Sequence, residues 1–209
     1  REQAQQLKLA ALGRLTANIA HEIRNPLAAI SHAAELLAEE RRGEDRGRLT
    51  RIIHDNTLRL ERLVTDVLQL NRRDRVAAQR IALAAWLPPF LEEVVANESL
   101  AAERIAIESV RDAWVEFDPE HLRQVLWNLL RNAVRHARAE PRSVRIAARA
   151  FGDKVELSVA DNGPGVAVAD QGQLFEPFFT TDSKGTGLGL YLARELAAAN
   201  GALLEYVKD

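Results

Sequence analysis

The sequence contains neither cysteine nor methionine. Without cysteine, disulfide scaffolds, zinc fingers, iron–sulfur clusters and thiol catalysis are excluded. Without methionine, even at position 1, the expectation is a piece of a longer protein. Long apolar runs are missing too. None approaches the ~18 residues of a membrane span, and the best, Ile81 to Leu91, contains Pro88 and Pro89. The opening Arg1 to Lys8 is polar and starts no secretory signal. The chain is therefore expected to be a cytoplasmic fragment that does not itself enter a membrane. Charge of one sign is also lacking: 28 Lys and Arg face 30 Asp and Glu, a net −2. That balance predicts no nucleic-acid partner.

What is present is a 209-residue chain, 47% hydrophobic and 28% charged, the composition of a globular protein. Its charge is unevenly spread, +4 over residues 1–80 and −6 over 81–209. The change of sign hints at two domains, expected at 1–75 and 76–209.

The first 75 residues are helix formers and charges. Leu49, Ile53, Asn56, Leu60, Leu63, Val67 and Leu70 alternate in steps of four and three, a heptad seam. Asn56 in that seam either sets register or is a tolerated polar residue. The preceding helix reads Leu12, Leu15, Ile19, Ile23, Leu27, Ile30, Ala34, Leu37, with three successive steps of four. This predicts a stutter over residues 21–26. Pro26 falls inside the helix, removes the donor for the Glu22 carbonyl and predicts a kink. Residues 41–47 read as the turn of a helical hairpin. Each helix buries one face, so a homodimeric four-helix bundle is the natural completion. Residues 72–80 read as a solvated connector.

Beyond it the period changes. Ile81–Leu83, Arg104–Glu108, Trp114–Phe117, Val144–Ala150 and Val155–Ala160 alternate as short strands, and Phe151–Lys154 reads as a hairpin turn. Helices are expected from about Trp86 to Asn97, from Asp118-Pro119 onward, and from about Leu188 to Asn200, ending at Gly201. The second would carry Leu122, Val125, Leu126, Leu129 and Ala133 on one face. A further strand is expected over Ala202–Val207. The sum is a two-layer α/β sandwich.

Four stretches carry chemistry. His21 lies about 200° around the helix from both Ile19 and Ile23, hence away from the seam. Glu22 is adjacent, and Asn25, one turn on, shares the His21 face. An exposed imidazole beside a carboxylate can act as a nucleophile, although a surface histidine in a charged helix is ordinarily just solvated. Asn128 and Asn132 are one helical turn apart, and their amide oxygens suit Mg²⁺; they could equally be surface asparagines. Asp161-Asn-Gly-Pro-Gly165 follows an apolar strand; Asp161 can accept from a base amino group, while Gly163 and Gly165 permit close approach, or the stretch is an ordinary turn. Gly185-Thr-Gly-Leu-Gly-Leu190 runs from a loop into a helix and suits phosphate, yet it is neither a Walker A loop nor a Rossmann fingerprint. Between the last two lies LFEPFFTT, with three of the six phenylalanines, Phe175, Phe178 and Phe179. They read as lid latches, core anchors, or both.

HEIRNP, NLLRNA, DNGPG, FEPFFTT and GTGLGL, in this order, resemble the sensor histidine kinases of two-component signalling. The resemblance implies a helical-hairpin dimerisation and phosphotransfer domain, then a GHKL (Bergerat-type) α/β sandwich that binds ATP and Mg²⁺. It implies that His21 attacks the γ-phosphate, that Glu22 accepts or orients the imidazole proton, and that Asn25 serves a phosphatase activity. Asn132, helped by Asn128, would bind Mg²⁺. Arg135 would meet the phosphates and His136 the adenine, where Lys and an aromatic are more usual. Asp161 would hold the adenine amino group. Gly163, Gly165, Phe175, Phe178, Gly185, Thr186, Gly187, Leu188 and Gly189 would surround the nucleotide. The implied partner is the receiver domain of a response regulator, of an enhancer-binding kind. LAALGRLTANIAHEIRNPLAAISHAAELL further resembles the nitrogen-regulation and type IV pilus sensor kinases, which implies an inner-membrane parent. The alternatives are a GHKL ATPase of another class and a nucleotide-binding pseudokinase.

Overall fold

The computed structural model describes residues 2–39, 45–70, 76–98, 100–110, 113–182 and 185–208; over 2–17 and at Leu70 it describes the backbone only. Residues 41–44 of the expected hairpin turn and 72–75 of the expected connector lie outside the described residues, as do the side chains of Leu12, Leu15 and Leu70. The chain forms two compact units: residues 1–69 with 176–188, and residues 70–175 with 189–209.

The first unit holds helices α1 (Glu2–Glu39) and α2 (Arg46–Leu70). On α2 the heptad residues are the covered ones. Leu49 and Leu63 are buried, and Ile53, Asn56, Leu60 and Val67 are half-buried. Asn56 turns its amide back to the Ile52 carbonyl at 2.8 Å, so its donor is satisfied within its own helix. On α1 the covered row differs from the expected one. Ile19, Ile23, Pro26, Ile30, Ala33 and Leu37 are buried or half-buried, whereas Leu27 is 49% exposed and Ala34 is exposed. Those positions step regularly by four and three, so no stutter is present over the described side chains. The reason is Pro26. Its ring is a compact apolar body that fills a seam position, and the backbone continues as helix through it.

The second unit begins with β1 (Gln79–Ala82), which runs directly into α3 (Leu83–Asn97). A turn of 3-10 helix at Ala102–Arg104 leads to β2 (Ile105–Ile107); β3 (Trp114–Phe117) precedes α4 (Pro119–His136). Then come β4 (Val144–Phe151), β5 (Lys154–Asp161), the single turn α5 (Val168–Gln171) and α6 (Gly189–Ala199). The strands form two sheets. β1 and β3 pair antiparallel with Ile81 opposite Val115. In the other sheet β4 is central, parallel to β2 and antiparallel to β5, with Ile146 opposite Val159. Phe151 faces Lys154 across a two-residue loop whose first residue, Gly152, has φ +60°. A type II′ hairpin reserves that position for glycine.

β4 turns Val144, Ile146 and Ala148 inward, and these pack with α3 (Leu83, Leu87, Phe90, Leu91, Val94) and α4 (Leu122, Leu126, Leu130, Ala133). The core row of α4 steps from Leu122 through Leu126 to Leu130. Leu130 is therefore the fully buried residue where Leu129 was expected, and Leu129 is half-buried. Phe90 stacks on Trp86 with centroids 4.8 Å apart and meets Trp127 edge-on at 6.3 Å, tying α3 to α4. α6 lies along α4 through buried Leu192, Ala193, Leu196 and Ala197.

Two expectations fail at element ends. Leu83 opens α3 instead of closing β1; its N–H still reaches the Ala113 carbonyl at 3.0 Å, so the ladder contact survives the change of conformation. Residues 202–208 form no strand, although Gly201 closes α6 at φ +73° as expected. Leu203 and Val207 are 75% and 77% exposed, so this segment lacks the covered side chains that hold a strand in register.

Candidate active site

In the first unit, His21 and Asn25 are both exposed on α1, one turn apart. Glu22 is turned from that face and is half-buried. Its Oε2 accepts a hydrogen bond from the Arg59 guanidinium of α2 at 2.9 Å. Arg59 was not legible in the sequence. A basic residue beside a heptad seam is common, and only the pairing of helix turns singles this one out.

In the second unit, α4 presents Asn128, Asn132, Arg135 and His136 within three turns. Its start is fixed by Asp118, whose Oδ1 accepts from the backbone N–H of Glu120 (2.9 Å) and His121 (3.2 Å), with Pro119 at the first helical position. The other carboxylate oxygen accepts from Ala77 N–H at 2.8 Å. Burial by itself pushes the Asp118 carboxyl up. The backbone donors of Ala77, His121 and Glu120, with the His121 ring, outweigh it and hold the group below its ordinary value. Asn200, just past α6, completes the node. Its Oδ1 accepts from Asp118 N–H at 2.8 Å and its amide nitrogen lies 3.0 Å from His121 Nδ1.

Asn128 and Asn132 are half-buried. Asn128 Nδ2 is buried and finds no hydrogen-bond acceptor among the described residues. A Cβ on Gly189, at the start of α6, would lie 3.6 Å from Asn128 Oδ1. The start of α6 thus lies beside Asn128. Arg135 is exposed; with Val94, Glu98, Leu100, Arg131 and Val134 it lines a recess between α3 and α4. His136 is exposed at the end of α4, and the DNGPG loop is pressed against it. A Cβ on Gly163 would lie 2.5 Å from the His136 carbonyl oxygen and 2.7 Å from Asp161 Oδ1, so only glycine fits. Gly163 N–H donates to Asp161 Oδ1 at 2.8 Å, which orients the carboxylate and leaves its second oxygen outward. Asn162 Oδ1 accepts from Arg138 N–H at 2.9 Å. Beyond, Gly165 (φ +71°) passes the Tyr206 hydroxyl, which accepts from Val166 N–H at 3.1 Å. Asn162 and Tyr206 are anchors that motif reading passed over. Phe175 lies under the Arg194 guanidinium, 5.2 Å from the ring centroid.

Phe178, Gly185, Thr186, Gly187 and Leu188 belong to the first unit. Gly187 has φ +69°, and a Cβ there would lie 2.4 Å from the Phe178 carbonyl carbon. Phe178 itself has φ +68°, costly for an aromatic residue, and its N–H donates to the Gly187 carbonyl at 2.9 Å. Thr186 Oγ1 donates to Asp66 of α2 at 2.8 Å.

These donor sets fit a magnesium nucleotide. Two neutral amide oxygens, a buried amide nitrogen without an acceptor, an outward carboxylate oxygen and a glycine-tight loop suit a hard cation, phosphates and a purine amino group. Among the described residues no cluster of histidine and carboxylate ligands competes for a metal.

Two family descriptions match the chain. "His Kinase A (phospho-acceptor) domain" covers residues 11–75, and "Histidine kinase-, DNA gyrase B-, and HSP90-like ATPase" covers 117–206. A histidine-bearing helical pair followed by a GHKL-type α/β domain defines the class, and the chain belongs to the sensor histidine kinases as a catalytic core. Among its relatives is the sensor protein kinase PilS of Pseudomonas aeruginosa, 48% identical over 98% of this chain and 40% of that protein. The sensor histidine kinase ZraS of Escherichia coli is 33% identical over 95% of the chain and 43% of its own length. The chain thus spans about two fifths of the curated relatives it matches. Among solved structures, histidine kinase ThkA in complex with response regulator protein TrrA aligns with a TM-score of 0.74 at 27% identity, over 96% of this chain and 59% of that one. Full-length ShkA in complex with AMPPNP aligns at 0.55 and 26% identity, over 90% and 41%.

Proposed function

We propose that this chain, as a homodimer, transfers the γ-phosphoryl group of ATP to His21 and from there to an aspartate of a response-regulator receiver domain, with a phosphatase activity that uses Asn25. The observation that carries the reading is the exposed His21 beside an ion-paired Glu22, in a chain that also holds the amide pair and glycine-tight loop of a nucleotide site. A ring nitrogen of His21 forms the N–P bond as the P–O bond to ADP breaks, and the proton on the other ring nitrogen passes to Glu22. Asn132 and Asn128 would hold Mg²⁺, which when bound would supply neutralisation of the phosphate charge. The outward oxygen of Asp161 takes the adenine amino group, His136 stacks on the base and Arg135 serves the phosphates. Gly163, Gly165 and Gly189 of the second unit, and Gly185, Thr186, Gly187 and Leu188 of the first, are assigned to nucleotide contact. Phe175 and Phe178 frame the segment between the glycine loops. Such transfer needs chiefly positioning and charge neutralisation.

The chain is read as the cytoplasmic part of an inner-membrane sensor of the type IV pilus or nitrogen-regulation kind, with an enhancer-binding regulator as partner. The identity to PilS supports this placement. No helix among the described residues is long and apolar enough to cross a membrane. The test is incubation with γ-labelled ATP and Mg²⁺. Label that is acid-labile, base-stable and lost in His21→Gln is expected. ATP binding without label on the wild type would instead establish a pseudokinase.

A further inference from the structure

Glu22 is the one member of the His21 triplet that is half-buried, and the reason lies on the other helix. Glu22 and Arg59 are 37 positions apart in sequence, and their side chains are each 25% exposed. An ion pair this open to solvent adds little to stability. What a charge-assisted bond at 2.9 Å does supply is direction: one carboxylate oxygen is committed and the rotamer is fixed. We propose that Arg59 is a positioning residue for phosphoryl transfer. By holding Oε2 of Glu22 from α2, it leaves Oε1 as the oxygen that receives the imidazole proton of His21.

This inference rests on the kinase reading above. In the transfer the N–P bond forms and the bond to the ADP oxygen breaks. The proton on the second ring nitrogen turns acidic as the first becomes phosphorylated. It leaves through Oε1 of Glu22 to water, so atoms and charge balance without a further reactant. A carboxylate free to rotate on an exposed helix would meet that proton only part of the time. Arg59 keeps the acceptor in place through each turnover. Because α2 supplies the anchor, any shift of one helix along the other moves the proton acceptor relative to His21. The pair thereby couples hairpin geometry to chemistry.

The test uses the full 209-residue chain with saturating labelled ATP and Mg²⁺. Arg59→Ala is expected to slow labelling of His21 about tenfold or more, a modest share of what acid–base catalysis supplies. The ATP concentration for half-maximal rate should stay within about twofold, since Arg59 acts on the proton and not on nucleotide. Arg59→Lys keeps the charge but loses the planar fork, and should fall between Arg59→Ala and wild type. The discriminating variant is Glu22→Gln with and without Arg59→Ala: the second change should add nothing once the acceptor is gone.

A wild-type rate in Arg59→Ala overturns the proposal. So does a full further loss in the double variant, which would make Arg59 an independent element of the fold or of the phosphate site. So does an effect confined to the ATP requirement. Should Arg59→Ala not fold, Arg59→Lys, alone and combined with Glu22→Gln, decides by the same criteria. A wild type that takes no label removes the kinase reading and this inference together. A wild type labelled on His21 with an indifferent Arg59 removes this inference alone.

Discussion

Gly163 has no room for a side chain. A methyl group there would press on the His136 carbonyl oxygen and on the Asp161 carboxylate at once, both within 2.7 Å. Gly163→Ala must displace the loop that orients Asp161, so ATP affinity is expected to fall about tenfold or more, equivalent to roughly 1.4 kcal/mol. Calorimetric titration with ATP and Mg²⁺ checks this, and an unchanged Kd would remove Asp161 from the base-binding role. The other residue-scale prediction concerns Asp118. Its folded pKa lies below the usual value of about 3.9. A depressed carboxyl stabilises the fold above its unfolded pKa, and that contribution disappears as pH falls through the folded value. Asp118→Asn keeps a capping oxygen but removes the charge at the helix N-terminus, and should therefore lower stability at neutral pH by about 0.3–1 kcal/mol. The gap to wild type should close as the pH is taken below about 4. A gap independent of pH would contradict it. The sequence showed Asp118 as a helix cap but not its links to Ala77 and Asn200. Those partners are 41 and 82 positions away, and nothing local marks them.

At the scale of elements, α1 is the most instructive. Periodicity located the helix and its exposed histidine face, and it placed Pro26 inside. It misassigned the buried row because proline was treated only as a breaker. A ring with no N–H is also a small apolar side chain, and here it takes a seam position. The cost is one missing rung, at the Glu22 carbonyl, beside the histidine. Pro26→Ala restores that rung and is expected to shift the ratio of kinase to phosphatase rates. Parallel assays of His21 labelling and of receiver-domain dephosphorylation would show it, and an unchanged ratio would deny the rung a regulatory part. β1 and α3 teach a related point. A change from strand to helix at Leu83 is invisible to alternation, since Ile81 and Leu83 are buried under either conformation.

Across the whole molecule, the order of motifs made the class legible, because two of them fall inside helices and two at element ends that periodicity finds independently. The boundary of the units was less legible. Residues 176–188 group with the helical pair although they fall between two segments of the other unit. Contacts that distant in sequence leave no local pattern. The first unit also leaves apolar side chains uncovered: Leu27, Val64 and Leu68 are 49%, 49% and 60% exposed. A second copy would cover them in a four-helix bundle. Val64→Lys with Leu68→Lys should convert a dimer into a monomer at micromolar concentration, read by sedimentation equilibrium. A dimer that persists would place the interface elsewhere.

The aromatic stack between α3 and α4 has an optical consequence. Trp86, Trp114 and Trp127, the three tryptophans of the chain, all lie in the second unit, two of them against Phe90. Tryptophan emission therefore follows the nucleotide-binding unit, and the helical pair is dark at that wavelength. Far-ultraviolet dichroism, by contrast, is weighted toward the long helices of the pair. A denaturant series followed both ways resolves the two units without any label, and an emission midpoint that moves with added nucleotide while the dichroic one stays fixed assigns the ligand to its unit.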